Sequence, residues 1–177
     1  VNLNGSVNFL EDVLHLFKYN LDKIIISFNW DTEKILETKK FISELNNIET
    51  ENIEIIATTQ TPIFKTVGKR MTHLDKFILQ EKRIPNLNEI KLLQKKYYQL
   101  MKSDKLYYQF NNEIKSWNTK YNVKILDKSK YICDHKRETC SVLTNNNYKI
   151  YWDSNHYTLE GIKYLSKNEY FRSFFNK

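Results

Sequence analysis

Turn-forming residues are scarce: glycine occurs three times and proline twice in 177 residues. A chain so poor in both does not supply the many tight turns of an all-β sandwich. Neither G-x-G-x-x-G nor a Walker-type loop occurs, which excludes the usual dinucleotide and nucleoside triphosphate sites. No apolar run approaches the length of a membrane span, and Val1 to Val7 has neither a basic nor an apolar leader region, so no signal peptide is expected. An initiator Met is also missing, and the chain starts in mid-pattern; a piece of a longer polypeptide is expected. Cysteine is limited to Cys133 and Cys140, too few for a zinc knuckle.

What is present suits one domain with a sizeable core. Apolar residues make up 41% and aromatic residues 14%, so the chain packs rather than remaining disordered. The net charge is +7, from 28 basic and 21 acidic residues. The lysines are interleaved with Glu and Asp and come with no recognition motif. They read as a solvated surface rather than a nucleic-acid site.

Apolar spacing predicts a helix over Val7 to Asn20, then a β-branched run, Lys23 to Asn29, that is apolar on both faces and reads as a central parallel strand. Thr32 to Leu45 is amphipathic, and Asn52 to Thr58 is a second parallel-type strand. This α, β, α, β order indicates an α/β sheet. A loop through Thr59-Gln60-Thr61-Pro62 follows. Helices are predicted over Met71 to Gln80, Asn86 to Met101 and Lys105 to Tyr121, the last with Tyr108, Ile114 and Trp117 inward. Val123 to Asp127 is a third strand. Cys133 to Trp152 reads as a β-hairpin turning at Asn145-Asn146-Asn147. A final helix opens at Thr158. Open parallel sheets bind ligands beyond the carboxyl ends of their strands. Asn29, Thr58 to Pro62 and Asp127 fall there, which makes Asn29 a candidate ligand-facing group.

The hairpin leads into Tyr151-Trp152-Asp153-Ser154-Asn155-His156. A carboxylate three residues before a histidine, in a loop between strand and helix, can hold the imidazole in one tautomer and stabilise its protonated form. The competing reading is a helix-capping turn with an incidental histidine. Cys133 and Cys140 enclose the polar stretch Asp134 to Thr139. Of metal ligation, free thiols and a disulfide, the disulfide fits best, because a polar loop offers no core for thiols. It would close a small loop, contribute roughly 2–3 kcal/mol and place the domain outside the cytoplasm. His15, His73 and His135 read as surface or boundary residues, and the Tyr97-Tyr98 and Tyr107-Tyr108 pairs as half-buried helix faces.

The paired cysteines, the hairpin and Tyr151 to Gly161 with its D-x-x-H resemble the end of an SGNH hydrolase-like domain. The specific likeness is to the C-terminal SGNH domain of acyltransferase-3-type membrane O-acyltransferases, which modify bacterial glycans such as lipopolysaccharide O-antigen. Phe9 to Trp30 resembles the helix and strand ending in Trp that lie mid-domain. Tyr157 stands where the family usually has Leu, and Ile162 where it has Ala. The resemblance implies a three-layer α/β/α, flavodoxin-like parallel sheet lacking its N-terminal strand or strands, with a C-terminal β-hairpin. It implies His156 as general base, Asp153 as its orienting acid and Asn29 as an oxyanion donor. The family's nucleophile lies in a Gly-Asp-Ser motif that is absent from this chain. Truncation, or a degenerate relative, would account for that.

The expected function is serine-type acyl transfer to a cell-surface polysaccharide. Acetyl-CoA or a similar acyl donor is implied for the full-length family, with no cofactor bound to this domain. An upstream transmembrane acyltransferase domain is the implied partner, the chain is expected to be monomeric, and its place is the extracytoplasmic face of the inner membrane. The alternatives are a carbohydrate esterase, or an inactive glycan-binding domain using Tyr107, Tyr108, Trp117 and Tyr151 for stacking.

Overall fold

The computed structural model describes residues 22–46, 53–64, 71–154 and 156–175. The helix expected over Val7 to Asn20 lies outside them. Three parallel strands, β1 (Lys23–Ile26), β2 (Glu54–Thr58) and β3 (Lys124–Leu126), form a sheet in the order β1-β2-β3. Helix α1 (Thr32–Asn46) connects the first two strands. Three helices, α2 (His73–Glu81), α3 (Leu87–Ser103) and α4 (Lys105–Tyr121), precede β3.

The central position expected for the Lys23–Asn29 strand does not hold among the described residues. The central strand is β2, whose Ile55 to Thr58 are all buried, and β1 is at the edge among the described residues. Side chains alternate between the faces of a strand. Ile26, Ile55 and Ala57 enter a core with Ile35, Ile42 and Leu45 of α1 and Ile114 and Trp117 of α4. Ile25, on the other face, is 54% exposed although its partner in register, Ile56, is fully buried. Uniform apolarity does not separate a central strand from an edge strand with one covered face.

Local signals set the helix ends. Thr72 and Asp75 cap α2 reciprocally, and Asn86 and Glu89 do the same for α3 directly after Pro85. Asp104 caps α4, and Asn122 closes it with a left-handed φ of 54°. Within α4 the inward tyrosine is Tyr107, not Tyr108, which is 38% exposed.

The C-terminal third differs from the single long hairpin expected. A one-turn helix, α5 (Ser129–Ile132), precedes a short antiparallel pair, β4 (Cys133–Asp134) and β5 (Thr139–Cys140). Cys133 and Cys140 face each other in that pair and are joined by a disulfide. The bond is as expected, but the reason differs. Both cysteines are buried with Met101, Tyr97 and Val142, and only the residues between them are polar and exposed. The turn at Asn145 to Asn147 exists, closed by Thr144 N–H on the Tyr148 carbonyl at 2.8 Å. Its arms share only the isolated bridge Leu143–Lys149. Helices α6 (Leu159–Leu165) and α7 (Glu169–Phe175) end the described chain. No described helix is long and apolar enough to cross a membrane.

Candidate active site

The loop after β2, Thr59 to Phe64, ties the strand ends together. Gln60, 5% exposed, is its hub. Its Oε1 accepts from Trp30 N–H at 2.8 Å, its Nε2 donates to Asn29 Oδ1 at 2.8 Å, and its own N–H donates to Asn111 Oδ1 at 2.7 Å. Trp30 is anchored further by Nε1–H on the Thr58 carbonyl at 2.8 Å and an edge-on contact with Trp117. Asn29 is therefore held beside buried neighbours while remaining exposed. Because Gln60 occupies its carbonyl oxygen, the Nδ2 donors are the half of the amide left for an oxyanion.

At its far end the same loop meets the D-x-x-H turn. Phe64 N–H donates to the Ser154 carbonyl at 2.8 Å. The Phe64 ring packs at 4.7 Å on Tyr97 and 4.9 Å on Tyr151, and Tyr151 packs at 5.5 Å on Tyr157. Burial pushes the Tyr151 and Tyr157 hydroxyls far above their ordinary titration range. On this aromatic base the turn closes on itself. Trp152 N–H donates to the His156 carbonyl at 2.7 Å, and His156 N–H donates to Asp153 Oδ1 at 2.9 Å. The His156 ring meets the same carboxylate through Nδ1, at 2.8 Å to Oδ2 and 3.0 Å to Oδ1. That side of the ring is thus the donor, and Nε2 is the nitrogen left for proton transfer. The Asp153 side chain is 14% exposed and that of His156 72%. A shielded acid behind an accessible imidazole is the polarity a general base needs.

The turn is fastened from below by α6. Thr158 N–H donates to the Ile150 carbonyl at 2.9 Å, and Thr158 Oγ1 accepts from Gly161 N–H at 2.9 Å. A Cβ at Gly161 would lie 2.3 Å from the Ile150 carbonyl oxygen, so only glycine lets the helix approach this closely. Lys149 Nζ reaches both Asp75 carboxylate oxygens at 2.7 Å and the Trp152 carbonyl at 3.1 Å, which joins α2 to the turn.

A second cluster stands at the end of β3. Asp127 is 5% exposed, and its Oδ1 accepts from Ser129 Oγ at 2.7 Å and Ser129 N–H at 3.1 Å. Its Oδ2 pairs with Lys115 at 2.6 Å. Burial opposes ionisation of Asp127, but Lys115 and Ser129 outweigh it and hold the carboxyl below its usual range. His135 contacts Ser129 Oγ through Nε2 at 2.9 Å and lies 3.4 Å from the Tyr98 hydroxyl. It is an exposed residue of the charged loop, as expected, and in addition ties the disulfide loop to the strand end. Lys128 extends to Ser27 Oγ at 3.3 Å, and burial pushes its ammonium down to about 8.

The stacking residues expected for a glycan-binding role are corrected as well. Tyr107, Trp117 and Tyr151 are 5%, 0% and 1% exposed and serve the core. The Tyr97-Tyr98 pair is buried rather than half-buried. The sequence places Gln60 and Asp127 at the carboxyl ends of the strands, where both stand, but of that set it singles out only Asn29; the hydrogen bonds that make Gln60 and Asp127 organisers come from distant residues. Among the described residues no group of three or more His, Cys, Asp or Glu side chains is arranged to hold a metal ion.

Residues 7–168 match the family model of the SGNH domain (fused to AT3 domains). The chain belongs to that family. Its parallel sheet and C-terminal antiparallel pair are the α/β architecture expected, and membership points to acyl-transfer or esterase-type chemistry in a domain associated with a membrane acyltransferase. Neither the search of curated proteins nor that of solved structures gave a match.

Proposed function

We propose that this domain carries out serine-type O-acyl transfer to a cell-surface glycan, on the extracytoplasmic side, as part of a membrane acyltransferase. The supporting observation is the pair itself: Asp153 on His156 Nδ1 at 2.8 Å, with the ring exposed above it. His156 Nε2 takes the proton of a serine hydroxyl as the oxygen attacks the acyl carbonyl, Asp153 stabilises the imidazolium, and the proton passes to the donor's leaving group as its bond to the acyl carbon breaks. The same nitrogen then deprotonates a glycan hydroxyl, which takes the acyl group from the serine and returns the serine hydroxyl. Asn29 Nδ2, held through Gln60, supplies an oxyanion donor. The serine itself is contributed by polypeptide outside these 177 residues, since no Gly-Asp-Ser occurs within them. The disulfide supports the extracytoplasmic placement.

The exposure of His156, 72% at its side chain, favours a second reading in which water is the acceptor and the enzyme is an esterase. The test is acyl content of surface polysaccharide in cells carrying the full-length gene product. His156→Ala should abolish acylation while the protein level is kept; unchanged acylation would overturn the proposal. Loss of acyl groups from isolated polysaccharide, stopped by the same substitution, would select the esterase.

A further inference from the structure

A recess lined by none of the residues of the Asp153–His156 turn lies elsewhere on the domain. It is an open groove of about 500 Å³ between the Thr144–Tyr148 turn and α6, within the size range of small-molecule sites. We propose that this groove is a second glycan subsite, one that holds a neutral stretch of the acceptor polymer. This deepens the acyl-transfer reading and rests on its glycan acceptor.

Three tyrosines, Tyr131, Tyr148 and Tyr164, line the groove. Tyr148 is 55% exposed on the turn. Tyr131 is set by an edge contact with Phe171 at 5.3 Å, and Tyr164 packs partly against the core. Asn145 and Asn146, both exposed, line the same groove. The turn is closed by Thr144, Asn147 and Tyr148: Asn147 N–H donates to the Thr144 carbonyl at 3.0 Å, and Tyr148 N–H donates to Thr144 Oγ1 at 3.1 Å. The two asparagine side chains are thus not needed to hold it.

Flat, partly wet rings beside groups that both donate and accept are the chemistry of a pyranose site. The C–H face of the sugar packs on tyrosine, and vicinal hydroxyls bond the amides. Of the charged groups lining the groove, Lys163 pairs with Glu160 at 2.8 Å, which leaves the exposed Lys167 as a single net positive charge. One lysine falls short of the basic cluster that a polyanion would require, which favours a neutral sugar. No histidine or cysteine lines the groove, which fits binding rather than reaction. The location also suits an acceptor. One wall is α6, the helix that begins directly after the Asp153–His156 turn, so a polymer held along it is held by the element that sets the catalytic loop.

The test is a titration of the isotopically labelled chain with maltotetraose, chitotetraose and O-polysaccharide released from lipopolysaccharide, followed by amide shifts. At least one should perturb Asn145, Asn146 and Tyr148 amides with saturable binding. Tyr148→Ala should weaken that binding about tenfold, Tyr148→Phe should keep it, and His156→Ala should leave it unchanged. Equal thermal unfolding of the Tyr148 variants guards against misfolding. Absence of shifts at the groove with all three glycans, or binding that survives Tyr148→Ala, overturns the subsite. Either failure leaves the acylation assay on His156 untouched, whereas failure of acyl transfer would leave groove binding in place.

Discussion

Two acid–histidine clusters among the described residues are built in opposite ways. At the end of β3, Asp127 is buried and its oxygens are taken up by Ser129 and Lys115, while His135 touches the serine and not the acid. After the hairpin, Asp153 meets the imidazole of His156 directly, and the ring faces solvent. The first contains all three residue types of a hydrolase triad, and the second its acid and histidine. In the first the serine lies between acid and histidine and is 3% exposed, so no carbonyl reaches it and the histidine receives no support from the carboxylate. Connectivity and access, rather than composition, are the grounds on which the proposed mechanism uses the second pair and leaves the first to the framework.

The sharpest way to break this contrast is to exchange readouts. In the full-length protein, His156→Ala should lower acyl transfer on the order of 10³-fold with its unfolding curve unmoved. Ser129→Ala should do the reverse, leaving turnover intact and lowering stability by about 1 kcal/mol. If Ser129→Ala removed activity, the assignment would have to be inverted.

Next in size is Gly161→Ala. The added methyl meets the Ile150 carbonyl, and a loss of about 3 kcal/mol is expected in denaturant unfolding, with His156 displaced as a consequence. An unchanged midpoint would show that α6 shifts freely and that the turn is not fastened from below.

Asp127→Asn should cost about 2 kcal/mol at neutral pH, because the ion pair with half-exposed Lys115 is lost inside a polar network that is otherwise kept. The folded carboxyl titrates below its unfolded value, so its contribution is complete above about pH 4 and disappears as pH falls through the depressed value. The variant should lack that part of the acid limb, and a pH series of melting temperatures measures it.

The smallest effect is expected at Lys128. Its ammonium is disfavoured in the folded state, with a value of about 8. Lys128→Met should therefore raise stability modestly at pH 7, and the gain should shrink as pH climbs from about 8 towards 10.4, where the unfolded lysine also loses its proton. A gain that persists at high pH would point to packing rather than charge.

The parts legible in the sequence are those written locally. Helix α4 runs from Lys105 to Tyr121 as expected, because Asp104 and Asn122 mark its ends within a turn of the chain. Helix α6 opens after Thr158, whose hydroxyl takes the Gly161 amide. The Asp153–His156 pair spans three residues, so its hydrogen bond is a local event. What was illegible depends on distant partners. Gln60 is joined to Trp30 and Asn111 across 30 and 51 residues, and Thr59 to Asp127 across 68. Period counting also fails where two aromatics adjoin: Tyr107 and Tyr108 both fit a helical stripe, and only packing against Ser129 and Asn111 selects Tyr107. The edge position of β1 was hidden for the same reason, since strand order is not recorded in any one strand.

The missing side chain of Gly161 separates two kinds of constraint that are usually entangled. A gene copy whose product must still fold keeps glycine there whether or not the product reacts, because the neighbouring backbone admits nothing larger. His156, exposed and anchored only within its own turn, can be exchanged without the fold registering the change. Among natural variants of this domain, glycine retained beside a lost histidine would identify copies kept as scaffolds, and joint retention would identify copies kept as catalysts.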